Sequence, residues 1–127
     1  MKVIALDYGS ARTGVAVSDP TGSLARPLCV VERAATPDGL SRLRDLVQEE
    51  QAERVVVGLP LTLRGARGEQ ATETERFVEG LRAAIDVPVE TFDERFTTTL
   101  AGSGDGDDAR AAAHLLSSYL EWSSRRS

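Results

Sequence analysis

Cysteine, histidine and lysine occur once each in this chain, as Cys29, His114 and Lys2. A single cysteine excludes an internal disulfide, and one Cys with one His excludes a Cys/His zinc site built within the chain. Cys29 stands in the apolar run Leu28-Cys29-Val30-Val31 with no basic residue beside it, so a buried, inert thiol is expected rather than a nucleophile. Long apolar runs are missing too: none approaches the roughly 20 residues of a membrane span. Met1-Lys2-Val3 enters the first apolar run at once, without the pattern of a signal peptide. A cytoplasmic protein with no membrane partner is the expectation. Positive charge is also in the minority. The net charge of −5 argues against indiscriminate nucleic-acid binding, but leaves room for a local basic patch or a site that works through metal ions. Of the fifteen basic residues fourteen are Arg, which grips phosphate with two prongs where Lys acts as a point charge.

What is present is enough for one domain. A chain of 127 residues with 41% hydrophobic and 28% charged residues can bury an ordinary core. A single domain is expected over 1–122, with 123–127 as a frayed tail. Val3-Ile4-Ala5-Leu6 ends in Asp7, a loop of small residues follows (Gly9 to Gly14), and Val15-Ala16-Val17 returns, which is the pattern of a β-hairpin. Leu24 to Glu32 supplies a third extended segment. Thr36-Pro37-Asp38 opens a helix, with Thr36 as cap and Pro37 in the first turn, and Leu40, Leu43, Leu46 and Val47 form its apolar stripe. Val55-Val56-Val57 shows no alternation and reads as a strand covered on both faces. After the glycine- and arginine-bearing loop Arg64 to Gly68, a second helix carries Ala71, Thr74, Phe77, Val78 and Leu81. Val87 to Phe92 is a fifth strand, and a last helix begins near Asp107-Asp108 with Ala112, Leu115, Leu116, Tyr119 and Leu120 inward. Tyr119 and Trp122 are expected to finish the core, and His114, one position off the stripe, to be a boundary residue. The order predicts an α/β protein with a five-stranded mixed sheet: an antiparallel three-strand meander, then strand–helix alternation, with helices on both faces.

Acidic residues fall at element ends. Asp7 closes the first strand, Asp93-Glu94 closes the fifth, and Asp108 opens the last helix, in register with Ala112, Leu115 and Tyr119. Loops beyond the carboxyl ends of strands form the functional crevice of open α/β sheets. Each residue has a structural explanation of its own: Asp7 in a turn, Asp108 as a cap, Asp93 and Glu94 paired with Arg95. Their convergence on one edge has none, and gathered carboxylates are commonly relieved by divalent cations.

These residues also carry a resemblance. DYGSARTGVAVSD, VVVGLPL, DERFTT and DARAAAHLLSSYLE, in that order, resemble the YqgF family, the Holliday-junction-resolvase and pre-16S rRNA nuclease group. The resemblance implies a ribonuclease-H-like fold. It further implies a phosphodiesterase dependent on Mg²⁺ or Mn²⁺ that trims the 5′ end of the 16S rRNA precursor. Carried over residue by residue, it makes Asp7, Glu94 and Asp108 catalytic and Asp7, Asp93, Glu94 and Asp108 metal-holding. Arg12, Arg95, Thr97 and Thr98 would contact backbone phosphates. The implied partner is structured RNA, with branched DNA as an alternative, and a monomer or weak homodimer is expected. One departure stands out. The family usually places a helix and a basic loop before the final Asp, whereas Leu100 to Asp107 is short, acidic and glycine-rich, which favours a competing reading as a non-catalytic RNA-binding protein. A third reading, nucleotide binding as in actin-like ATPases, would need a second such domain.

Overall fold

A computed structural model of the chain describes residues 1–61, 68–96 and 108–126. Five strands, β1 (Val3–Asp7), β2 (Arg12–Ser18), β3 (Ala25–Glu32), β4 (Arg54–Leu59) and β5 (Val89–Asp93), form one sheet in the order β3-β2-β1-β4-β5. β1, β2 and β3 pair antiparallel, and β4 joins β1 and β5 in parallel on either side. The expected meander followed by alternation is what the sheet shows. Because β1, β4 and β5 run in parallel, their carboxyl ends lie along one edge.

Alternation along the central strands sorts the core into two layers. Ile4, Leu6, Val15, Val17, Val55, Val57 and Val89 face helices α1 (Pro37–Glu50) and α2 (Glu69–Ala84), where they meet Leu43, Leu46, Val47, Phe77, Val78 and Leu81. Val3, Ala5, Ala16, Val56 and Phe92 face the other way, onto Ala112, Leu115, Leu116 and Tyr119 of α3 (Asp108–Arg126). β4 is thus covered on both faces, as its unbroken Val run requires. Thr36 caps α1 by accepting from the Gly39 amide at 3.1 Å, with Pro37 in the first turn.

The α3 side of the sheet is built from small residues, and two glycines allow an approach that no larger residue permits. A Cβ on Gly14 in β2 would lie 1.8 Å from the backbone oxygen of Asp108. One on Gly58 in β4 would lie 2.6 Å from a carboxylate oxygen of Glu94. At the far end of the sheet Arg54 Nη1 donates to Glu90 Oε1 at 3.0 Å and to the Tyr119 hydroxyl at 3.2 Å, which ties α3 to β4 and β5.

Four details depart from the sequence reading. β5 begins at Val89 rather than Val87 and ends at Asp93, and a single 3-10 turn, Glu94–Phe96, follows it. Cys29 is half-buried, since β3 is an edge strand, though burial still pushes its thiol pKa up. Trp122 touches the Phe92 and Tyr119 rings yet stays 38% exposed, so it caps the core and does not complete it. Helix α3 runs on to Arg126, through the stretch expected to fray.

Candidate active site

The edge formed by the carboxyl ends of β1, β4 and β5 collects the acidic residues. Asp7 is the last residue of β1, and its alternation partners Val3 and Ala5 face α3. Glu94 opens the 3-10 turn directly after β5, and the missing side chain at Gly58 makes room for its carboxylate. Between them lies only β4. The Asp7 and Glu94 carboxyls lie close enough to perturb one another. Like charges brought together disfavour the charged form, a cost that a nearby cation relieves. Burial, reinforced by the charges of Asp7 and Asp93, pushes the Glu94 carboxyl up to about 7. Asp7 is also raised, chiefly by burial, with the hydrogen bond from Glu94 opposing and the charge of Asp108 adding to the rise.

Asp108 is the first residue of α3, and Gly14 brings its backbone against β2. Its Oδ2 is buried and, among the described residues, receives no hydrogen bond, although Arg12 Nε stands 3.3 Å away. Arg12 begins β2, and its side chain remains more than half exposed at the rim. Asp93, expected among the metal-holding residues, is otherwise engaged. Arg95 Nη2 lies 2.6 Å and Nε 2.9 Å from its Oδ2, and the Arg95 amide donates to Oδ1 at 2.9 Å. Those bonds hold its pKa below the usual carboxylate value. Thr97 and Thr98 lie outside the described residues, as do Arg64, Arg67 and the segment Leu100 to Asp107.

Among the described residues no group of three His, Cys, Asp or Glu side chains is arranged as a metal cage. The donor set nevertheless suits a hard divalent cation. Mg²⁺ takes oxygen ligands and uses few carboxylates, leaving the rest to water and substrate phosphate. Here Asp7 and Glu94 bring two carboxylates to one end of a pocket, and the buried Oδ2 of Asp108 receives no hydrogen bond among the described residues.

A pocket of about 260 Å³ opens beside the carboxylate pair, between the β1–β2 loop and α2. Asp7 and Glu94 form one end, and Tyr8, Ser10, Gln70 and Glu73 line the rest. The Tyr8 ring stacks on Phe77 with centroids 4.4 Å apart, and its hydroxyl donates to Glu73 Oε1 at 3.3 Å.

Sequence reasoning gave no site role to Gly14, Gly58, Tyr8 or Glu73. Gly58-Leu59-Pro60 reads from the sequence as a turn ending the strand, but β4 runs through Gly58 to Leu59, and a glycine inside a strand marks a close approach by something else. Tyr8 and Glu73 had no such signal, because their contact joins residues 65 positions apart.

Comparison with known proteins agrees with this geometry. In sequence, the chain is 46% identical over 100 residues to a "Putative pre-16S rRNA nuclease" of Roseiflexus sp. (strain RS-1), covering 79% of this chain and 71% of that protein. It is 36% identical over 133 residues to the protein of the same name from Syntrophomonas wolfei subsp. wolfei, covering 95% of this chain and 94% of the relative. In structure, it superposes on T. thermophilus RuvC, solved in complex with a Holliday junction substrate, with a TM-score of 0.67 at 16% identity. That match covers 100% of this chain and 97% of RuvC, and it establishes the ribonuclease-H-like fold. Residues 1–122 match the family model described as RuvX: Holliday junction resolvase, and to that family the chain belongs.

Proposed function

We propose that the protein is a nuclease dependent on Mg²⁺ or Mn²⁺ that hydrolyses phosphodiester bonds of structured RNA, with the 5′ end of the 16S rRNA precursor as its substrate. One observation carries this reading. The carboxylates of Asp7, at the end of β1, and Glu94, in the turn directly after β5, line one end of a single pocket at the carboxyl edge of the sheet. The names of the relatives support the substrate class.

Asp7, Glu94 and Asp108 would hold the metal. When bound, a divalent ion activates a water and steadies the leaving oxygen. The chain's own residues do the rest. Asp7 and Glu94 would supply carboxylate oxygens to the cation from one end of the pocket. Arg12, at the rim beside Asp108, binds a backbone phosphate with its guanidinium. Asp93 fixes the Arg95 guanidinium, which would meet a backbone phosphate with little reorganisation. Thr97 and Thr98, carried over from the family pattern, would add phosphate contacts. The protein would work in the cytoplasm as a monomer or weak homodimer; no helix among the described residues is long and apolar enough to cross a membrane.

The test is cleavage of a pre-16S 5′ fragment in Mg²⁺ or Mn²⁺ by the wild-type protein and by Asp7→Asn. Full activity in the variant would sink the assignment. A second reading, cleavage of branched DNA, draws support from the description of the family model, and a four-way DNA junction in the same assay separates the two.

A further inference from the structure

The pocket between the β1–β2 loop and α2 is rich in groups that accept N–H bonds. Among the described residues they are the carboxylates of Glu73, Asp7 and Glu94, the Gln70 amide, and the hydroxyls of Tyr8 and Ser10. A planar group with N–H donors on its edge would be accepted.

The pocket also has a stacking surface. Tyr8 lines the pocket, and its ring is held by stacking on Phe77 at 4.4 Å and 16°. Single-stranded and splayed-out bases are held in this way, stacked on an aromatic ring and hydrogen-bonded along an edge. A volume of about 260 Å³ takes one base rather than two. Glu73 is exposed, and the Tyr8 hydroxyl engages its Oε1 alone, which leaves Oε2 available and orients the carboxylate.

We propose that this pocket binds the base of a nucleotide flanking the scissile phosphate and selects guanine through Glu73. A carboxylate accepts two parallel N–H bonds, and guanine alone offers adjacent donors, N1–H and the N2 amino group. Adenine and cytosine pair one amino donor with a ring nitrogen acceptor, which the carboxylate repels, and uracil flanks its single N–H with two carbonyls. Because the pocket ends at Asp7 and Glu94, the bound base belongs to a nucleotide at the reacting centre. The inference rests on the nuclease reading for its place in catalysis, but not for the binding of the base. Glu73 and Tyr8 are specificity-determining residues here, not catalytic ones.

The probe is a pair of nucleotides, 5′-GMP and 5′-IMP, which differ only in the N2 amino group, titrated into the full chain and followed by NMR. GMP is expected to bind at least about tenfold tighter than IMP, the usual cost of leaving one hydrogen-bond partner of a polar group unpaired. Glu73→Gln, on the exposed face of α2, should fold normally and lose that difference. In parallel, mapped product ends from an RNA hairpin pool should show guanine enriched at one position beside the cut, and Glu73→Gln should flatten the profile. Equal binding of GMP and IMP, or a flat profile in an active wild type, overturns the guanine pocket. A GMP preference without cleavage of any RNA supports the pocket and overturns the nuclease reading instead.

Discussion

The ends of β1 and β5 make a controlled comparison. Each strand lies beside β4, each runs parallel to it, and each closes on an aspartate. Asp93 is met at once by Arg95, two residues on, and its carboxyl is held below the ordinary value. Among the described residues Asp7 has no such partner. It is half-buried near Glu94, and both carboxyls are raised. Place in the fold brings a carboxylate to the functional edge, but its immediate partner decides what it can do there. A charge answered by a guanidinium is already compensated, whereas two neighbouring carboxylates are open to a cation.

The comparison breaks most visibly at Asp7. Asp7→Asn is expected to lower metal-dependent cleavage by on the order of a thousandfold or more, with an unfolding temperature no lower than wild type, because the change removes a buried charge. Asp93→Asn should keep activity within about tenfold, the low end of what a supporting residue around a metal costs when lost. If the two variants lose activity equally, the distinction drawn between the strand ends is wrong.

Next in size come the glycines. Gly14→Ala sets a methyl 1.8 Å from backbone that cannot move without shifting α3, so a loss of roughly 3 kcal/mol in urea unfolding is expected, the upper end for overpacking. Gly58→Ala meets only side-chain atoms of Glu94 and Leu115, and should cost less stability while displacing Glu94 enough to impair cleavage.

The two strand ends should also respond to pH in opposite windows. Glu94 titrates at about 7 in the folded protein against an ordinary 4.5, so the folded state holds its proton more tightly. Stability from this group is fully present below pH 4.5 and is lost as pH rises through 7. In metal-free protein, Glu94→Gln should therefore gain stability over wild type between pH 5 and pH 8, by roughly 1–3 kcal/mol after allowing for partial solvent screening. Saturating Mg²⁺ should erase that gain by stabilising wild type alone. Asp93 works the other way: its carboxyl is lowered, so its contribution is present above pH 3.8 and lost as the solution is acidified below that. Asp93→Asn should cost at most about 1 kcal/mol at pH 7, as for other solvent-accessible ion pairs, and nothing at pH 2. Thermal unfolding across this pH range measures both.

Much of this was legible before any coordinates. Element order, the mixed sheet and the inward stripes of all three helices follow from hydrophobic period and cap residues, which are local signals. The places of Asp7 at the end of β1, Glu94 just after β5 and Asp108 at the start of α3 follow from strand ends and helix starts. The division of labour between Asp93 and Glu94 was not legible. They are neighbours in sequence, and the chain leaves the strand between them, so alternation no longer says which side chain faces where. The tasks of Gly14 and Gly58 were hidden for another reason, since each is defined by a residue far along the chain that occupies the space a side chain would fill. Cys29 was misjudged because an apolar run does not tell an edge strand from a central one.

The contact between Gly14 and the start of α3 bears on how freely this architecture can change length. Eleven residues, from Thr97 to Asp107, separate the 3-10 turn from α3 in the sequence. The position of Asp108 is set from the other side, by β2 and by the layer of Ala5, Ala16 and Val56 beneath the helix. Shortening or lengthening the join therefore alters chiefly the entropy of closing a loop, which changes by only about 0.6 kcal/mol per doubling. The acidic residue stays in place while the chain beside it is free to be trimmed, extended or recharged, so substrate affinity and the metal-holding geometry can evolve separately.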